Sequence, residues 1–326
     1  MYKFEPLLKQ TLWGGDKIIP FKHLNTQQER IGESWEISAW SGVETVVAEG
    51  PLEGKTLKEL VSEFKGDLVG RHIYARHGDT FPLLIKFIDA ARDLSIQVHP
   101  DDALAAKFSP GQNGKTEMWY VIDTAPGAHL LSGLSKPVTP DEYEELVRTD
   151  RICEVLNDVP IKPGDVFFIP AGRIHAICSG AFVAEIQQTS DLTYRIYDYG
   201  RLGLDGKPRA LHIKEARMAV DFTPVTDPRT HVEELPEREN ILVECPYFTT
   251  SSFNLTKPLR KSLTDIDSFY AVICIDGSVS IEMESVSGER FASHLRRGES
   301  VLLPATAKGV KFNPEGTVRF LTSYIG

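Results

Sequence analysis

The segment GDVFFIPAGRIH, residues 164–175, carries the pattern that decides the fold. A glycine and an acid supply a turn, the apolar residues that follow are typical of a strand, and a proline ends it. A second copy, GESVLLPATAKG, occupies residues 298–309 and keeps the spacing between the glycine and the proline. Other short apolar runs bounded by turn residues recur along the chain, which is typical of β-sandwiches and barrels. The sequence therefore predicts an all-β dominated protein with two β-barrels in tandem.

The chain length and a proline-marked stretch predict the boundary between the two barrels. The chain has 326 residues, which is enough for about two domains. A proline-marked stretch at 223–240 reads as a linker, so the first domain is predicted to span 1–240 and the second 241–326. Residues 139–157 begin with Thr139 as a helix cap and Pro140 at the first helical position. This pattern predicts a short helical insert in the first domain. Two further helices are predicted over 56–70 and 212–222.

Composition restricts the partners and the location. The net charge of -10 argues against nucleic acid, which needs a concentrated basic face. The chain has no apolar run long enough for a membrane span and no signal-peptide core at its start, so we expect no membrane partner and a cytoplasmic location. The four cysteines form no CxxC pair, which argues against a disulfide scaffold and against a thiolate zinc site.

Two polar side chains in SIQVHPDD, residues 95–102, raise the possibility of a metal site. Gln97 and His99 are two residues apart in a predicted strand, so their side chains share one face. A histidine on a strand is more often structural than a ligand, and the pair alone does not decide. With Glu117 and His175, however, the set has two imidazoles, one carboxylate and one amide oxygen, which suits zinc or another divalent metal. The two imidazoles and the carboxylate are strong ligands, and the amide oxygen is a weak one. Such a set leaves a coordination position for water or a substrate oxygen.

The spacing of these residues resembles a known family. The pattern QxH, then E, then GxxxxxPxGxxH resembles the two motifs of the cupin superfamily, with Gln97 in place of the usual first histidine. QVHPDD, GKTEMWYV and PAGRIHAI together resemble type I phosphomannose isomerases, and LWGGDKI at 12–18 and GESWEIS at 32–38 extend the likeness over nearly the whole chain. Only the modest segment at 139–157 stands where longer members have a larger helical domain. The chain is thus similar to the short bacterial form.

The resemblance implies tandem cupin barrels and an aldose–ketose isomerase that interconverts mannose 6-phosphate and fructose 6-phosphate. It implies one Zn²⁺ per chain, bound by Gln97, His99, Glu117 and His175. It also implies three residues around the substrate: a catalytic arginine in SDLTYR, an active-site lysine in GKTE and a serine near the phosphate, which are Arg195, Lys115 and Ser95. The second barrel has Gly309 where the motif spacing puts His175 in the first, so we expect no metal there.

The general base and the phosphate contacts stay open at this point. The reaction moves a proton between C1 and C2 through an enediol, and Glu185 and Lys115 are both candidates for the base. The basic residues nearest the motifs are Lys115, Lys136, Arg195 and Arg201, of which Arg195 and Lys115 are favoured for the site. The expected partner is a small sugar phosphate, and the sequence does not decide between a monomer and a homodimer.

Two other functions compete with the isomerase. A metal-dependent cupin oxygenase using iron would have a ligand set richer in histidine and an apolar pocket. A non-catalytic cupin that senses a sugar phosphate would lose a metal ligand or carry a DNA-binding helix. All four ligand positions are filled here, and no basic recognition helix is visible.

Overall fold

The computed structural model describes residues 1–203 and 206–326 and is built mainly of antiparallel strands. The strands up to residue 197 are β1 Phe4–Glu5, β2 Leu7–Gly15, β3 Ile31–Ile37, β4 Ala39–Trp40, β5 Val43–Glu44, β6 Val46–Val47, β7 Leu83–Asp89, β8 Ile96–Val98, β9 Glu117–Thr124, β10 His129–Leu134, β11 Leu156–Pro160, β12 Val166–Ile169, β13 His175–Ile177, β14 Ala181–Gln188 and β15 Tyr194–Tyr197. The later strands are β16 Glu239–Cys245, β17 Phe248–Leu255, β18 Leu259–Ser262, β19 Tyr270–Asp276, β20 Ser278–Ser285, β21 Arg290–Arg296, β22 Ser300–Leu303, β23 Ala307–Pro314 and β24 Val318–Tyr324.

The helices are few and short. They are α1 Ile18–Phe21, α2 Leu57–Phe64, α3 Gly66–Val69, α4 Arg71–His77, α5 Asp102–Phe108, α6 Pro140–Arg148 and α7 Ile213–Ala219, with a 3₁₀ turn at Ile152–Val155. Among the described residues, no helix has the length and apolar character needed to cross a bilayer.

The sheet order confirms the internal repeat. In the first barrel, one sheet has the order β12-β9-β14-β7-β3-β2 and the other β11-β10-β13-β8-β15. In the second barrel, the sheets run β16-β17-β24-β19-β22 and β18-β23-β20-β21. Nine strands of the first barrel have counterparts in the same order in the second. The order β12-β9-β14-β7-β3 corresponds to β22-β19-β24-β17-β16, and β11-β10-β13-β8 corresponds to β21-β20-β23-β18. The two barrels therefore share one topology.

The predicted helical insert is present and covers the outer face of one sheet. Thr139 caps α6, because its side chain accepts from the Glu142 amide while the Glu142 side chain accepts from the Thr139 amide. The apolar side of α6 packs with α7 on the sheet that contains β8 and β13, in a cluster that includes Tyr143, Ala176 and Ala216. Burial of this face explains the insert, since helices this short gain most of their stability from packing.

The prediction of one helix over 56–70 is only partly right. The chain breaks between α2 and α3 at Lys65, where φ is 51°, and a further helix, α4, follows at once. Gly70 separates α3 from α4 with φ of 105°, and a Cβ there would lie 2.1 Å from the Asp267 carbonyl oxygen. The Asp267 side chain accepts from the first two backbone amides of α4. The apolar periodicity of the sequence continues across Lys65 and Gly70. It therefore gives no sign that contacts with Asp267, in the second domain, accompany a break in the helix.

The two barrels share a hydrophobic core. One cluster joins Ile85 and Phe87 of the first barrel to Phe248 and Ile273 of the second. A buried ion pair lies at the same junction, where Lys22 Nζ is 2.7 Å from a Glu36 carboxylate oxygen and also donates to the Gly298 carbonyl oxygen. A domain boundary at residue 240 stays a prediction.

Candidate metal centre and active site

Three titratable side chains converge between the two sheets of the first barrel. His99 follows β8, Glu117 begins β9 and His175 begins β13. One ligand atom from each lies within 4.8 Å of the others, and all three residues are buried. This is the set that the sequence predicts, apart from the amide of Gln97.

Strand register brings Gln97 and Arg195 to the same point. His175 lies opposite Gln97 across the β13–β8 pair, and Gln97 lies opposite Arg195 across the β8–β15 pair. Residues directly opposite each other project from the same face of a sheet. The Gln97 amide nitrogen is 3.3 Å from His175 Nε2. A half-turn of the amide exchanges its nitrogen and oxygen, so Gln97 can offer an oxygen ligand at this position.

Backbone carbonyls orient both imidazoles. His99 Nδ1 lies 2.9 Å from the Leu192 oxygen, and His175 Nδ1 lies 2.8 Å from the Arg173 oxygen. An N–H at Nδ1 leaves Nε2 with its lone pair toward the cluster, which is the arrangement of metal-binding histidines. Burial, reinforced by the charge of Lys115, lowers the pKa of His99 well below its usual value, and burial lowers the pKa of His175 to about 3. Both rings are therefore neutral at neutral pH and able to bind a metal.

Glu117 supplies the negative charge of the cluster. Its carboxylate oxygens lie 3.4 Å from His175 Nε2 and 3.6 Å from His99 Nε2. Burial, together with the nearby charge of Glu185, raises the pKa of Glu117. Within the described parts of the chain its Oε1 atom accepts no hydrogen bond, which is costly for a buried carboxylate. A bound cation would satisfy that oxygen, so the residues present fit a divalent metal.

Lys115 lies against this cluster. Its Nζ is 2.8 Å from Glu117 Oε2 and 3.2 Å from His99 Nε2. The side chain is almost completely buried. The active-site lysine implied by the family resemblance therefore lies beside the ligand set.

Glu185 belongs to a buried row of alternating charges behind Lys115. One of its oxygens is 2.9 Å from Lys86 Nζ and 3.9 Å from Lys115 Nζ, and the other accepts from the Trp119 indole at 2.8 Å. Burial alone would raise the pKa of Glu185, but the charges of Lys86 and Lys115 hold it below its usual range. Glu33 ends the row, 3.6 Å from Lys86 Nζ. The role of Glu185 as a general base stays a prediction. These contacts stabilise Glu185 as an ion-paired anion.

Lys86 and Glu33 were not predicted to lie at the site, although the sequence contains a signal for each. Lys86 is the one charge in the apolar run LLIKFI, and it is buried in the structure. A lysine in such a run is rarely buried without a partner. Glu33 lies within GESWEIS, which contributed to the family resemblance but was not linked to the site.

Arg195 and Ser95, which the family resemblance places near the substrate, are in contact. The Arg195 Nε donates to Ser95 Oγ at 3.3 Å, and one terminal nitrogen donates to the Ala210 carbonyl at 3.0 Å. Partial burial, with the charge of Arg209, lowers the pKa of the Arg195 guanidinium. An arginine so placed still carries its proton at neutral pH.

Two further arginines adjoin Arg195. Asp198, which is buried, accepts from Arg201 at 2.6 Å and from Arg209 Nε at 2.7 Å. Burial would raise the pKa of Asp198, but hydrogen bonds from the two guanidinium groups lower it. Arg201 thus has a fixed partner, and Arg209 is a residue that the sequence analysis did not select. No spacing pattern connects Arg209 to the motifs, because its contact with Asp198 is formed only in the folded structure.

Lys136 is not brought to this cluster. It is exposed just before α6, and its charge acts on Glu142 and Glu154. Among the residues that the structure describes, no contact joins it to the ligand set or to Arg195. Its role in substrate binding stays a prediction without structural support.

The second barrel has other residues in the corresponding positions. Glu117 pairs with the residue before Pro170, and in the second barrel Tyr270 pairs with the residue before Pro304. The motif spacing aligned Gly309 with His175, but the pairing of Val310 with buried Met283 turns Val310 inward instead. The β20–β23 register shifts by one residue close to this point, which is why the spacing misled. In the described chain, the first barrel holds the one His/Cys/Asp/Glu cluster with metal-site geometry.

Comparison with known proteins bears directly on this site. Residues 1–125 match the model of the phosphomannose isomerase type I catalytic domain, and residues 238–325 match the mannose-6-phosphate isomerase cupin domain. Mannose-6-phosphate isomerase ManA of Bacillus subtilis is 35% identical over 99% of this chain and 98% of its own length. The mannose-6-phosphate isomerase of Streptococcus mutans is 31% identical over 98% of both chains. The chain belongs to the type I phosphomannose isomerase family.

Solved structures of phosphomannose isomerases have the same fold. The crystal structure of the mannose 6-phosphate isomerase from Bacillus subtilis matches with a TM-score of 0.87 and 33% identity over 99% of both chains. A structure described as a putative mannosephosphate isomerase from Archaeoglobus fulgidus matches with a TM-score of 0.77 over 99% of this chain and 96% of its own, at 22% identity. The all-β, tandem cupin prediction is confirmed. Membership of this family shows that the chain is an isomerase. The prediction of an isomerase is therefore favoured over that of a metal-dependent oxygenase.

Proposed function

We propose that this isomerase interconverts mannose 6-phosphate and fructose 6-phosphate with one zinc ion per chain. The observation that carries the proposal is the convergence of Gln97, His99, Glu117 and His175 beside Lys115 and Arg195. When bound, zinc supplies Lewis acidity toward the carbonyl and hydroxyl oxygens of the sugar. The relatives named above are called mannose-6-phosphate isomerases, which supports this substrate. A cytoplasmic location, and a monomer or a homodimer, stay predictions.

Lys115 is better placed than Glu185 to move the proton between C1 and C2. The Lys115 amine touches Glu117 and His99, so it borders the point where substrate oxygens would approach the ligand set. Both Glu185 oxygens are already engaged, one by Lys86 and one by Trp119. We therefore assign proton transfer to Lys115, and we assign Glu185 the role of a fixed charge that positions Lys86 and Lys115.

The Lys115→Met variant is expected to lose roughly 10²–10⁴-fold in kcat, the range that general acid–base groups contribute. The Glu185→Gln variant keeps a side chain of the same shape and is expected to lose less. Both variants should be compared with metal bound, by kcat and by the exchange of deuterium from C2 of the substrate into water. Normal exchange in Lys115→Met, with exchange abolished in Glu185→Gln, would reverse the assignment.

Arg195 and Ser95 form one edge of the proposed phosphate site. Asp198 holds Arg201 and Arg209 beside Arg195 and neutralises one of the three positive charges. The two remaining charges would match a phosphate dianion, and guanidinium groups bind phosphate oxygens with two parallel hydrogen bonds. Asp198 itself would act by positioning the arginines.

The Asp198→Asn variant is expected to raise KM for mannose 6-phosphate roughly tenfold while kcat changes little, because the neutral amide no longer fixes two guanidinium groups. Steady-state kinetics at constant ionic strength measure the effect. Asp265→Asn is the matched control, since Asp265 is exposed and remote in sequence from the site. An unchanged KM in Asp198→Asn, or an equal rise in the control, would contradict this role.

The function itself is tested by a coupled assay that follows fructose 6-phosphate formed from mannose 6-phosphate. Activity should disappear on chelation and return when zinc is added. A sugar-phosphate sensor would instead bind mannose 6-phosphate in the zinc-loaded form without converting it. Binding without turnover would therefore overturn the proposal in favour of the sensor.

A further inference from the structure

A groove of about 400 Å³ runs along the junction of the two barrels, away from the metal centre. We call it the junction groove; the first barrel lines it with Lys17, Phe21, Tyr120, Asp123 and Phe182, and the second with Asp276, Arg297 and Arg319. Tyr120 is three residues from Glu117 on β9, so the two side chains leave opposite faces of that strand. The groove is therefore separate from the substrate site, and its volume is within the usual range of small-molecule sites.

Two guanidinium groups in the junction groove have few partners. Arg319 donates to the Tyr120 hydroxyl at 3.3 Å, and Arg297 donates to the Phe21 carbonyl at 3.4 Å. Each guanidinium has five N–H donors, so most of them have no acceptor among the residues that the structure describes. Neither arginine forms an ion pair with any described residue. Other arginines of the chain do, among them Arg201, Arg209, Arg217 and Arg296.

The two arginines are held near each other by one turn. The backbone amide of Arg297 donates to the Gly277 carbonyl at 3.0 Å, and Arg319 lies opposite Asp276 on the neighbouring strand. Asp276 is exposed and makes no ion pair with Arg319 in the described chain. Lys17, the remaining cation, is already paired with Asp123 at 2.8 Å. The lining carries three positive and two negative charges, a net charge of +1, on a protein whose net charge is -10, and the charge of Glu234 also acts on Tyr120.

We propose that the junction groove binds a small phosphorylated anion between the two barrels. Guanidinium groups bind phosphate oxygens through charge-assisted hydrogen bonds, and a partly enclosed site strengthens such bonds. The Tyr120 hydroxyl adds a contact from the first barrel. An anion bound here would join the strand that carries Glu117 to the second barrel, which gives that barrel a binding role in addition to packing.

The test uses inorganic phosphate and isothermal titration calorimetry on the full chain. The Arg195→Met background removes a main cation of the proposed substrate site, so that phosphate binding elsewhere can be measured. In this background we expect one molecule of phosphate to bind per chain. Adding Arg319→Met should weaken that binding roughly ten- to hundredfold, the usual effect of losing hydrogen bonds to a charged group.

Two controls keep the result interpretable. Arg290→Met removes one positive charge from an exposed position on the second barrel and should leave phosphate affinity unchanged. Arg319→Lys keeps the charge without the planar fork and should weaken binding by an intermediate factor, and thermal unfolding without phosphate checks that each variant is folded. The absence of binding in the Arg195→Met background, or equal affinities with and without Arg319, would overturn the proposal.

Discussion

Replacing Glu117 with glutamine is expected to reduce bound metal from about one ion per chain to a trace and to lower isomerase activity at least about 100-fold. Even residues that only support metal ligands cost 10–100-fold in metal affinity or activity when changed, so losing the anionic ligand should cost at least the upper end. Glutamine has nearly the same size as glutamate, so the packing around this buried position should survive. Metal content by mass spectrometry and the coupled assay measure the two effects.

The Glu117→Gln result needs a matched control for a general loss of negative charge. Glu53 is exposed in a turn and makes no side-chain contact that the structure describes, so Glu53→Gln should retain metal and activity. Added zinc should restore little activity to Glu117→Gln. Full metal content in Glu117→Gln would show that Glu117 is not a ligand. Full activity with no bound metal would show that the metal is not required and would remove the basis of the proposed mechanism.

The second large effect is expected at Arg195. The Arg195→Met variant should lose roughly 10²–10³-fold in kcat, the usual cost of removing one group that stabilises charge in a transition state. The guanidinium lies opposite Gln97 and contacts Ser95, so it borders the metal centre without being a ligand. Metal content should therefore stay at the normal level. This separation of activity from metal binding distinguishes Arg195→Met from Glu117→Gln.

Conservative variants refine the Arg195 prediction. Arg195→Lys keeps a positive charge but loses the planar fork, so its kcat should fall between that of Arg195→Met and that of the unaltered protein. Ser95→Ala removes one contact of the guanidinium and should have a smaller effect on kcat. Arg290→Met serves as the control for loss of one charge. If Arg195→Met lost its metal as well, the residue would have to be regarded as a structural support of the centre.

The convergence of the candidate metal-binding residues could be predicted because their spacing is local to three strands. Gln97 and His99 share a strand face, and the proline and glycine of the second motif fix the turn before His175. The turn residues also identified the repeat, since strands bounded by glycine and proline are short and regular. The apolar faces of these strands had to pair in two sheets to be buried, which made the barrel predictable.

The rest of the site depends on contacts between residues that are distant in the chain. Glu185 was a candidate for the general base, but its pairing with Lys86 follows from the β14–β7 register. Arg209 pairs with Asp198, 11 residues earlier in the chain, and no periodic pattern describes such a pairing. The inward turn of Val310 depends on a one-residue register shift that motif spacing does not reveal. Sequence patterns report local geometry, whereas these features are set by tertiary pairing.

The central claim is that one metal ion, bound at the His99, Glu117 and His175 cluster, makes this chain an active mannose-6-phosphate isomerase. The most direct measurement is a titration of zinc into the metal-free protein while fructose 6-phosphate formation is followed. Activity should rise in proportion to added zinc and level off at one equivalent per chain, with no such rise in Glu117→Gln. Full activity before zinc is added, or the same titration curve in Glu117→Gln, would contradict the claim.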